Sequence, residues 1–154
     1  MDQPGFVHVG NFFDSVRKIQ KRYRDHLSPI CKKWKLTQNE LDILLFLCNT
    51  PQYDRAADIV EHRGIAKSHV SLSVKDLEHR KLLERRFEPA DRRTSHLELT
   101  DQGRDIAGEG QRRQRLFFEE LYAGITAEEF ELLRSLTEKI MENIENFDKT
   151  ETNP

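Results

Sequence analysis

The fold is decided by residues 54–100, DRAADIVEHRGIAKSHVSLSVKDLEHRKLLERRFEPADRRTSHLELT, which combine two short helical patterns with two alternating apolar runs. In the first helical pattern, Ala56, Ile59 and Val60 fall on one face. Gly64 follows directly, as the residue that ends a helix commonly does. This part of the sequence therefore predicts a short helix followed by a tight turn.

A second helix is predicted over about residues 67–80, because Val70, Val74 and Leu77 recur at helical spacing and form one apolar stripe. The opposite face carries Lys67, Ser68, Ser71, Leu72 and Lys75. Two short helices joined by a tight turn that contains glycine are the pattern of a helix-turn-helix. In such a motif the second helix enters the major groove of DNA.

The residues after the second helix predict a β-hairpin. Leu82, Leu83 and Phe87 begin a strand-like run, residues 89–93 supply a charged tip, and residues 96–99 alternate back. A hairpin at this position extends the motif to a winged helix-turn-helix.

These two features carry a resemblance to a known family. The run GIAKSHVSLSVKDLEHRKLLER fits its helix-turn-helix, and residues 91–100, DRRTSHLELT, fit its wing pattern D-x-R-x-x-x-L-x-L-T in full. On these residues the chain resembles the MarR family of bacterial transcriptional regulators. The resemblance implies a mainly α fold with a small β-hairpin wing, double-stranded DNA as partner, and a homodimer built from N- and C-terminal helices.

Long helices are predicted on both sides of this segment. Before it, an apolar stripe runs through residues 8–34, where Pro29 marks a kink or the start of a second helical piece; we expect a kink. Thr37 and Glu40 form a capping box that begins a nearly all-apolar, buried helix. After the wing, one helix is predicted up to a break at Gly124. The last helix has the stripe Phe130, Leu133, Leu136, Ile140, Ile144 and Phe147.

The predicted organisation places a winged helix-turn-helix DNA-binding domain at residues 36–100 between two dimerisation segments, residues 1–35 and 101–154. Neither segment has another element of its own to cover its apolar stripe. We therefore expect the terminal helices to intertwine with those of a second copy, as the resemblance also implies. The alternative is that the two ends pack on each other within a monomer.

On the second helix, the predicted DNA contacts are Lys67, Ser68, His69, Ser71, Leu72 and Lys75. Contacts with base edges select the sequence, whereas phosphate contacts supply affinity. Both serines can donate or accept, and Lys75 suits a phosphate. Leu72 would pack on a thymine methyl group or cover a neighbouring side chain. His69 would contact the DNA backbone or simply pack.

At the wing, Arg92 or Arg93 is expected to enter the minor groove, where narrow A·T-rich stretches concentrate negative potential. The family pattern carries its recurrent arginine two residues after the aspartate, so the resemblance assigns that role to Arg93. Asp91 is expected to orient the guanidinium. The alternative is a charged loop that is merely solvated.

Composition and motifs argue against other classes of protein. The net charge of −2 gives no global nucleic-acid signature, so the local distribution of charge matters more. The six histidines lack metal-hydrolase spacing, and no phosphate loop or nucleophile motif is present, so we predict neither an enzyme nor a cofactor. The sequence shows no secretory pattern and no membrane span of roughly 20 apolar residues, so a cytoplasmic protein is expected.

The sequence leaves the regulatory input open. The resemblance implies that a small aromatic or anionic effector could bind between the dimer helices and the winged domain. Residues that could line such a cleft are Phe12, Phe13, Tyr23, His26, Trp34 and Phe46. An aromatic stripe at helical spacing is, however, more often core.

Cys31 is the candidate redox residue, because Lys32 and Lys33 would favour its thiolate. In peroxide-sensing relatives the reactive cysteine lies near the beginning of the first helix, whereas Cys31 lies near its end. Cys48, within LLFLC, is expected to be a small buried apolar residue. A zinc site is a side hypothesis that rests on the spacing of His26, Cys31 and Glu40; we predict no metal site.

The sequence therefore predicts a sequence-specific regulator that binds double-stranded DNA, as a homodimeric repressor of a pseudo-palindromic operator. Release by a small ligand is an option. The alternatives are a redox- or metal-responsive regulator of the same fold, and a winged-helix protein-interaction module without DNA binding. Only the DNA-binding interpretation requires salt-dependent affinity for duplex DNA.

Overall fold

The computed structural model describes the backbone of residues 9–89 and 91–151, and the side chains of residues 11–89 and 95–147. The elements in chain order are α1 (Val9–Trp34), α2 (Gln38–Asn49), α3 (Ala56–Arg63), α4 (Lys67–His79), β1 (Leu83–Glu88), β2 (Asp91–Leu99), α5 (Asp101–Leu121) and α6 (Ala127–Glu151). The two strands form an antiparallel hairpin. This confirms the predicted fold class, a mainly helical winged helix-turn-helix.

The apolar helix α2 lies at the centre of the core. It begins with the predicted capping box: the Thr37 hydroxyl accepts from the Glu40 amide at 3.2 Å, and the Glu40 carboxylate accepts from the Thr37 amide at 2.6 Å. Leu41, Ile43 and Leu44 are fully buried, so the helix is covered on most sides as predicted. Burial of each such side chain contributes roughly 1.5–3 kcal/mol. The result is a rigid support for the helix-turn-helix.

The first helix of the helix-turn-helix, α3, packs on this core through the predicted face. Ile59 is fully buried, and Ala56 and Val60 are partly buried against the core. Gly64 ends the helix in the left-handed conformation, with φ of 61°. Glycine adopts this conformation without steric cost, which allows the chain to turn directly into α4.

The turn after α4 is bonded to the helices on either side. The guanidinium of Arg80 donates to the carbonyl oxygens of Lys35 and Trp34 at 2.9 Å and 2.6 Å, at the C-terminal end of α1. The hydroxyl of Thr100 donates to the carbonyl oxygen of Lys81 at 2.8 Å, just before α5. The end of α4 is therefore held to the end of α1 and to the start of α5.

The long helix α1 runs without a break through Pro29 to Trp34, so the proline does not begin a second helical piece. Proline removes one helical hydrogen bond and crowds the preceding turn. The neighbouring residues Leu27 and Ile30 are buried in the core. Their packing offsets the local loss and keeps the helix continuous.

The chain divides into two compact units after Phe117. The first unit contains α1, the winged helix-turn-helix and most of α5, so it groups α1 with the predicted DNA-binding domain. In the second unit, Thr126 and Glu129 form the predicted capping box of α6, with bonds of 2.8 Å and 3.2 Å. No helix in the described part of the chain is long and apolar enough to cross a membrane.

Candidate nucleic-acid interface

The candidate interface begins with α4, whose apolar stripe fixes the rotation of the helix. Val70, Val74 and Leu77 are buried beneath it, as their spacing predicted. The six candidate contact residues are all exposed on the remaining surface: Lys67, Ser68, His69, Ser71, Leu72 and Lys75. Leu72 exposes 59% of its surface and is the one large apolar side chain among the six. The face offers hydroxyl and ammonium groups together with one apolar contact.

The N-terminal end of α4 adds backbone donors to this face. Its N-cap residue, Ala66, has no side chain that accepts a hydrogen bond, and no acidic residue lies in the first turn. The first amide groups of a helix have no partner within the helix, and the helix dipole places partial positive charge there. Lys67 adds a full positive charge. This combination suits a phosphate group.

The wing is shorter at its tip than the sequence suggested. The antiparallel register runs to Phe87 opposite Ser95 and then shifts, so that Glu88 lies opposite Asp91. The predicted tip, residues 89–93, was too long, because β2 already begins at Asp91. The register shift between Phe87 and Glu88 is a β-bulge or another irregularity of the hairpin.

The predicted wing contacts remain predictions. The backbone of Asp91, Arg92 and Arg93 lies in β2, but their side chains lie outside the described residues. The minor-groove arginine and its orienting aspartate are therefore assigned by the family pattern alone.

Two further arginines on the wing escaped the sequence reasoning. Arg85 lies 2.9 Å from the Glu78 carboxylate on α4, and Arg86 lies 2.6 Å from Glu98 on β2. Adjacent residues of a strand point to opposite faces, so the two guanidinium groups meet different partners. The Arg85-Arg86 pair was a visible signal in the sequence. Its acidic partners partly neutralise it as a DNA contact.

The base of the wing is attached to the segment before α3 through His96. Its Nδ1 lies 2.7 Å from Oδ1 of Asp54, and its Nε2 lies 3.5 Å from Oε1 of Glu88. The hydrogen bond to Asp54 raises the pKa of His96 above its usual value, and the Glu88 charge acts in the same direction. Sequence spacing gave no sign of this contact, because 42 residues separate His96 from Asp54.

Comparison with known proteins supports this geometry. Residues 34–94 match the model of the MarR family. The protein YdgJ of Bacillus subtilis strain 168, an uncharacterized HTH-type transcriptional regulator, is 28% identical over 113 residues, which cover 73% of this chain and 68% of YdgJ. The winged helix-turn-helix segment is therefore similar to that of the MarR family. The resemblance drawn from the helix-turn-helix and wing residues is thereby confirmed.

Solved structures show the same fold. BpsR of Bordetella bronchiseptica, whose DNA binding is regulated by 6-hydroxynicotinic acid, has a TM-score of 0.65 and 23% identity, with 90% of this chain and 98% of BpsR covered. The S. aureus protein MepR, solved as a complex with DNA, has a TM-score of 0.72 and 18% identity, with 92% of this chain and 99% of MepR covered. At these identities the likeness establishes the fold alone.

The MarR resemblance also predicted an effector cleft, and two of its residues do lie together. The rings of Tyr23 and His26 approach Phe117 on α5, with centroid distances of 5.3 Å and 5.8 Å. The Gln114 side chain donates to the Tyr23 hydroxyl, and burial raises the pKa of that hydroxyl. The Nε2 atom of His26 is buried and has no hydrogen-bond partner among the described residues.

The other cleft candidates lie elsewhere. Trp34 donates to Glu109 at 3.3 Å, and Phe46 is buried in the core, with its ring stacked 6.0 Å from that of His62. Phe12 and Phe13 are exposed and contact each other edge-on. A helix rises about 1.5 Å per residue, so Phe12 and Trp34 are separated by roughly 33 Å along α1. The six residues therefore cannot line one small-molecule cleft within a single protomer.

The expectation that the surroundings of Cys31 lower the pKa of its thiol is wrong. Burial raises the pKa of the Cys31 thiol, and the charges of Asp42 and Glu40 raise it further. Lys32 and Lys33 were expected to favour the thiolate, but both extend from the exposed side of α1. The environment therefore favours the less reactive, protonated thiol.

The hypothetical zinc site is not assembled. Among the residues whose side chains are described, no three His, Cys, Asp or Glu side chains are grouped so as to hold a metal ion. The Glu40 carboxylate accepts from the Thr37 amide in the α2 capping box. Cys48 is partly buried against the core, somewhat more exposed than predicted.

Proposed function

We propose that this chain is a transcriptional regulator that binds double-stranded DNA and selects its sequence through α4. This proposal is supported mainly by the orientation of α4 about its own axis. Val70, Val74 and Leu77 face the core, so the hydroxyl groups, ammonium groups and one leucine on the opposite face point outward. Hydroxyl groups and a leucine can distinguish base edges, while ammonium groups neutralise phosphates. The MarR-family match and the DNA complex of MepR support the same role.

Equilibrium binding to duplex DNA across a salt series tests this proposal. Each neutralised phosphate releases counterions, so the logarithm of the affinity should fall linearly with the logarithm of the salt concentration, with a slope of about −0.9 per phosphate contact. Weak binding without salt dependence would instead favour a winged-helix module that binds protein. Competition between specific and random duplexes then measures sequence selection.

We further propose that the regulator acts as a homodimer on a pseudo-palindromic operator, as a repressor. On α6, Leu133, Leu136, Ile140 and Ile144 recur at helical spacing, and each exposes between 44% and 51% of its surface. Such a stripe along a helix favours association with a second apolar surface. A second copy supplies a surface of the same chemistry, and two-fold symmetry then predicts an inverted repeat with half-sites about one helical turn apart.

We propose that a small aromatic acid releases the protein from DNA. BpsR, which shares the fold, is regulated by 6-hydroxynicotinic acid, and the Tyr23–His26–Phe117 group offers aromatic and imidazole contacts to a related compound. An effector must bind the DNA-incompetent form more tightly than the competent form. Titration of DNA-bound protein with aromatic acids tests this. Parallel titrations with peroxide and zinc test the redox- and metal-responsive alternatives, which the raised pKa of Cys31 does not favour.

A further inference from the structure

The base of the wing holds a histidine between two carboxylates. Nδ1 of His96, on β2, lies 2.7 Å from Oδ1 of Asp54 in the segment before α3. Nε2 of the same ring lies 3.5 Å from Oε1 of Glu88, the last residue of β1. One imidazole ring thus joins both strands of the wing to the segment that leads into the helix-turn-helix.

The two carboxylates decide which protonation state fits this arrangement. A neutral imidazole carries one N–H, so when Nδ1 donates to Asp54, Nε2 directs a lone pair towards Glu88. That nitrogen is buried and has no hydrogen-bond partner among the described residues. Protonation places an N–H on both nitrogens and turns the approach to Glu88 into an attraction. The geometry therefore fits the imidazolium better than the neutral ring.

The charges around His96 also favour the imidazolium on balance. Asp54 and Glu88 favour the imidazolium, whereas Arg55, adjacent to Asp54, opposes it. Arg86 lies opposite His96 in the hairpin register but directs its guanidinium to another carboxylate on β2. The carboxylates prevail, so the pKa of His96 lies above its usual value and the ring keeps its charge to higher pH than a free histidine does.

The backbone joins the same two segments. The amide of Leu97 donates to the carbonyl oxygen of Asp54 at 2.7 Å, and the Leu97 side chain is buried. β2 is therefore positioned by the Asp54 segment at two successive residues, of which His96 supplies the ionisable contact.

We propose that His96 is a positioning residue of the wing. Its imidazolium binds Asp54 and Glu88, an arrangement that we call the His96 clasp, and so holds the hairpin at the angle that DNA binding requires. Loss of the imidazolium proton weakens these contacts and lets the hairpin move. The proposal rests on the proposed DNA-binding function and adds a pH regulation to it. The clasp is complete below the pKa of an unfolded-state histidine and is lost as pH rises through the raised pKa of the folded state. DNA affinity should fall in the same direction.

The clasp can be tested without DNA. NMR titration of the imidazole resonances should give His96 a higher titration midpoint in the wild-type protein than in Asp54→Asn, which keeps a hydrogen-bond acceptor but removes the charge. Equal midpoints in the two proteins would overturn the clasp, whatever the protein does with DNA.

A second experiment tests the effect on function: DNA affinity is measured at constant ionic strength from about pH 6 to about pH 8. We expect wild-type affinity to fall by about fivefold, at the lower end of typical couplings between sites. His96→Gln should lose most of this dependence, and Asp54→Asn should show the fall at lower pH. The matched control is His79→Gln, which removes an exposed histidine at the end of α4 and should retain the wild-type profile.

If the His96→Gln protein binds DNA with the wild-type pH profile, the proposed pH regulation is wrong, while the proposed DNA binding still stands. Failure of the wild-type protein to bind any duplex at any pH would overturn the DNA function together with the regulation. Circular dichroism and cooperative thermal unfolding identify variants that fold, and the two substitutions at opposite ends of one contact provide independent tests.

Discussion

At the level of single residues, we expect the proposed DNA-binding face of α4 to separate affinity from sequence selectivity. Lys75 is an exposed ammonium group, and a phosphate contact from it depends little on the base sequence. Leu72 carries no charge and exposes most of its surface. An apolar side chain in the major groove can distinguish thymine by its methyl group. The two residues should therefore affect different quantities when they are changed.

Leu72→Ala should change which sequences the protein prefers. Loss of the contact with a thymine methyl group should reduce discrimination at one base pair of each half-site by about 1 kcal/mol. Selection from a random duplex pool, followed by affinities for the enriched and mutated sites, measures this change. Lys75→Ala is the matched variant: it should weaken binding to all duplexes and reduce the salt slope by about 1, with an unchanged preference. An identical preference in Leu72→Ala would remove Leu72 from the interface.

Arg93→Ala should weaken binding to every duplex and give a shallower salt slope, because it removes a cation from the predicted minor-groove contact. Salt-dependent fluorescence anisotropy measures both quantities, and sedimentation should show that the oligomeric state is unchanged. Arg86→Ala is the control, since Arg86 is already paired with Glu98 at 2.6 Å and should have the smaller effect. Unchanged affinity and salt slope in Arg93→Ala would overturn the wing assignment.

At the level of helices and strands, the wing and α4 are held by the turn that connects α4 to β1. Arg80 bonds the end of α1, and Lys81 accepts from Thr100 before α5. The start of α5 also lies directly against this turn: a Cβ on Gly103 would come within 2.0 Å of the carbonyl oxygen of Leu82. Close backbone contact is thus required at this junction.

Gly103→Ala should therefore destabilise the protein by about 3 kcal/mol, because backbone atoms must move apart to admit the methyl group. Gly108→Ala is the matched control in the same helix, where the nearest atom is an arginine side-chain nitrogen at 3.8 Å. That substitution should instead stabilise the helix by up to about 1 kcal/mol. Urea denaturation measures both changes. Equal effects of the two substitutions would contradict the proposed close contact.

Local sequence patterns predicted most helices and strands. The features that the sequence did not predict depend on contacts between residues far apart in the chain. The stripe of Val70, Val74 and Leu77 gave α4 its rotation, since helical spacing is a local property. The Asp54–His96 contact and the bonds from Arg80 to α1 join residues far apart in the chain, which a single sequence does not reveal. The wing tip differs from the prediction because the register shift between Phe87 and Glu88 depends on strand pairing, not on composition.

The candidate site was only partly accessible to sequence reasoning. The outward residues of α4 followed from the apolar stripe, but the proposed effector residues were grouped by aromatic character alone. Helix length separates Phe12 from Trp34, and the apolar surroundings of α2 bury Phe46. Lysines adjacent in sequence suggested a thiolate at Cys31, whereas Asp42 and Glu40, which lie near it in the fold, have the opposite effect.

At the scale of the whole molecule, the proposed dimer rests on the apolar stripe of α6. Its exposed leucine and isoleucine side chains alternate with charged residues on other faces of the helix. A dimer would set the distance between two copies of α4, and an effector could change DNA affinity by altering that distance.

Ile140→Glu should shift the protein towards monomer, because it places a charge within the proposed apolar interface. Sedimentation velocity over a concentration series measures the shift. Lys139→Glu, one residue earlier on a different face, changes the net charge more and should leave the dimer intact. A wild-type protein that remains monomeric at all concentrations, or a dimer indifferent to Ile140→Glu, would contradict this interface.

We propose that this chain selects DNA sequences as a two-fold symmetric regulator. Selection of bound duplexes from a random pool by the purified protein examines both parts of this claim at once. We predict enrichment of an inverted repeat with half-sites about one helical turn apart, bound with an affinity that falls steeply with salt. Absence of any enriched sequence from a folded protein, with and without aromatic acids, would contradict the claim.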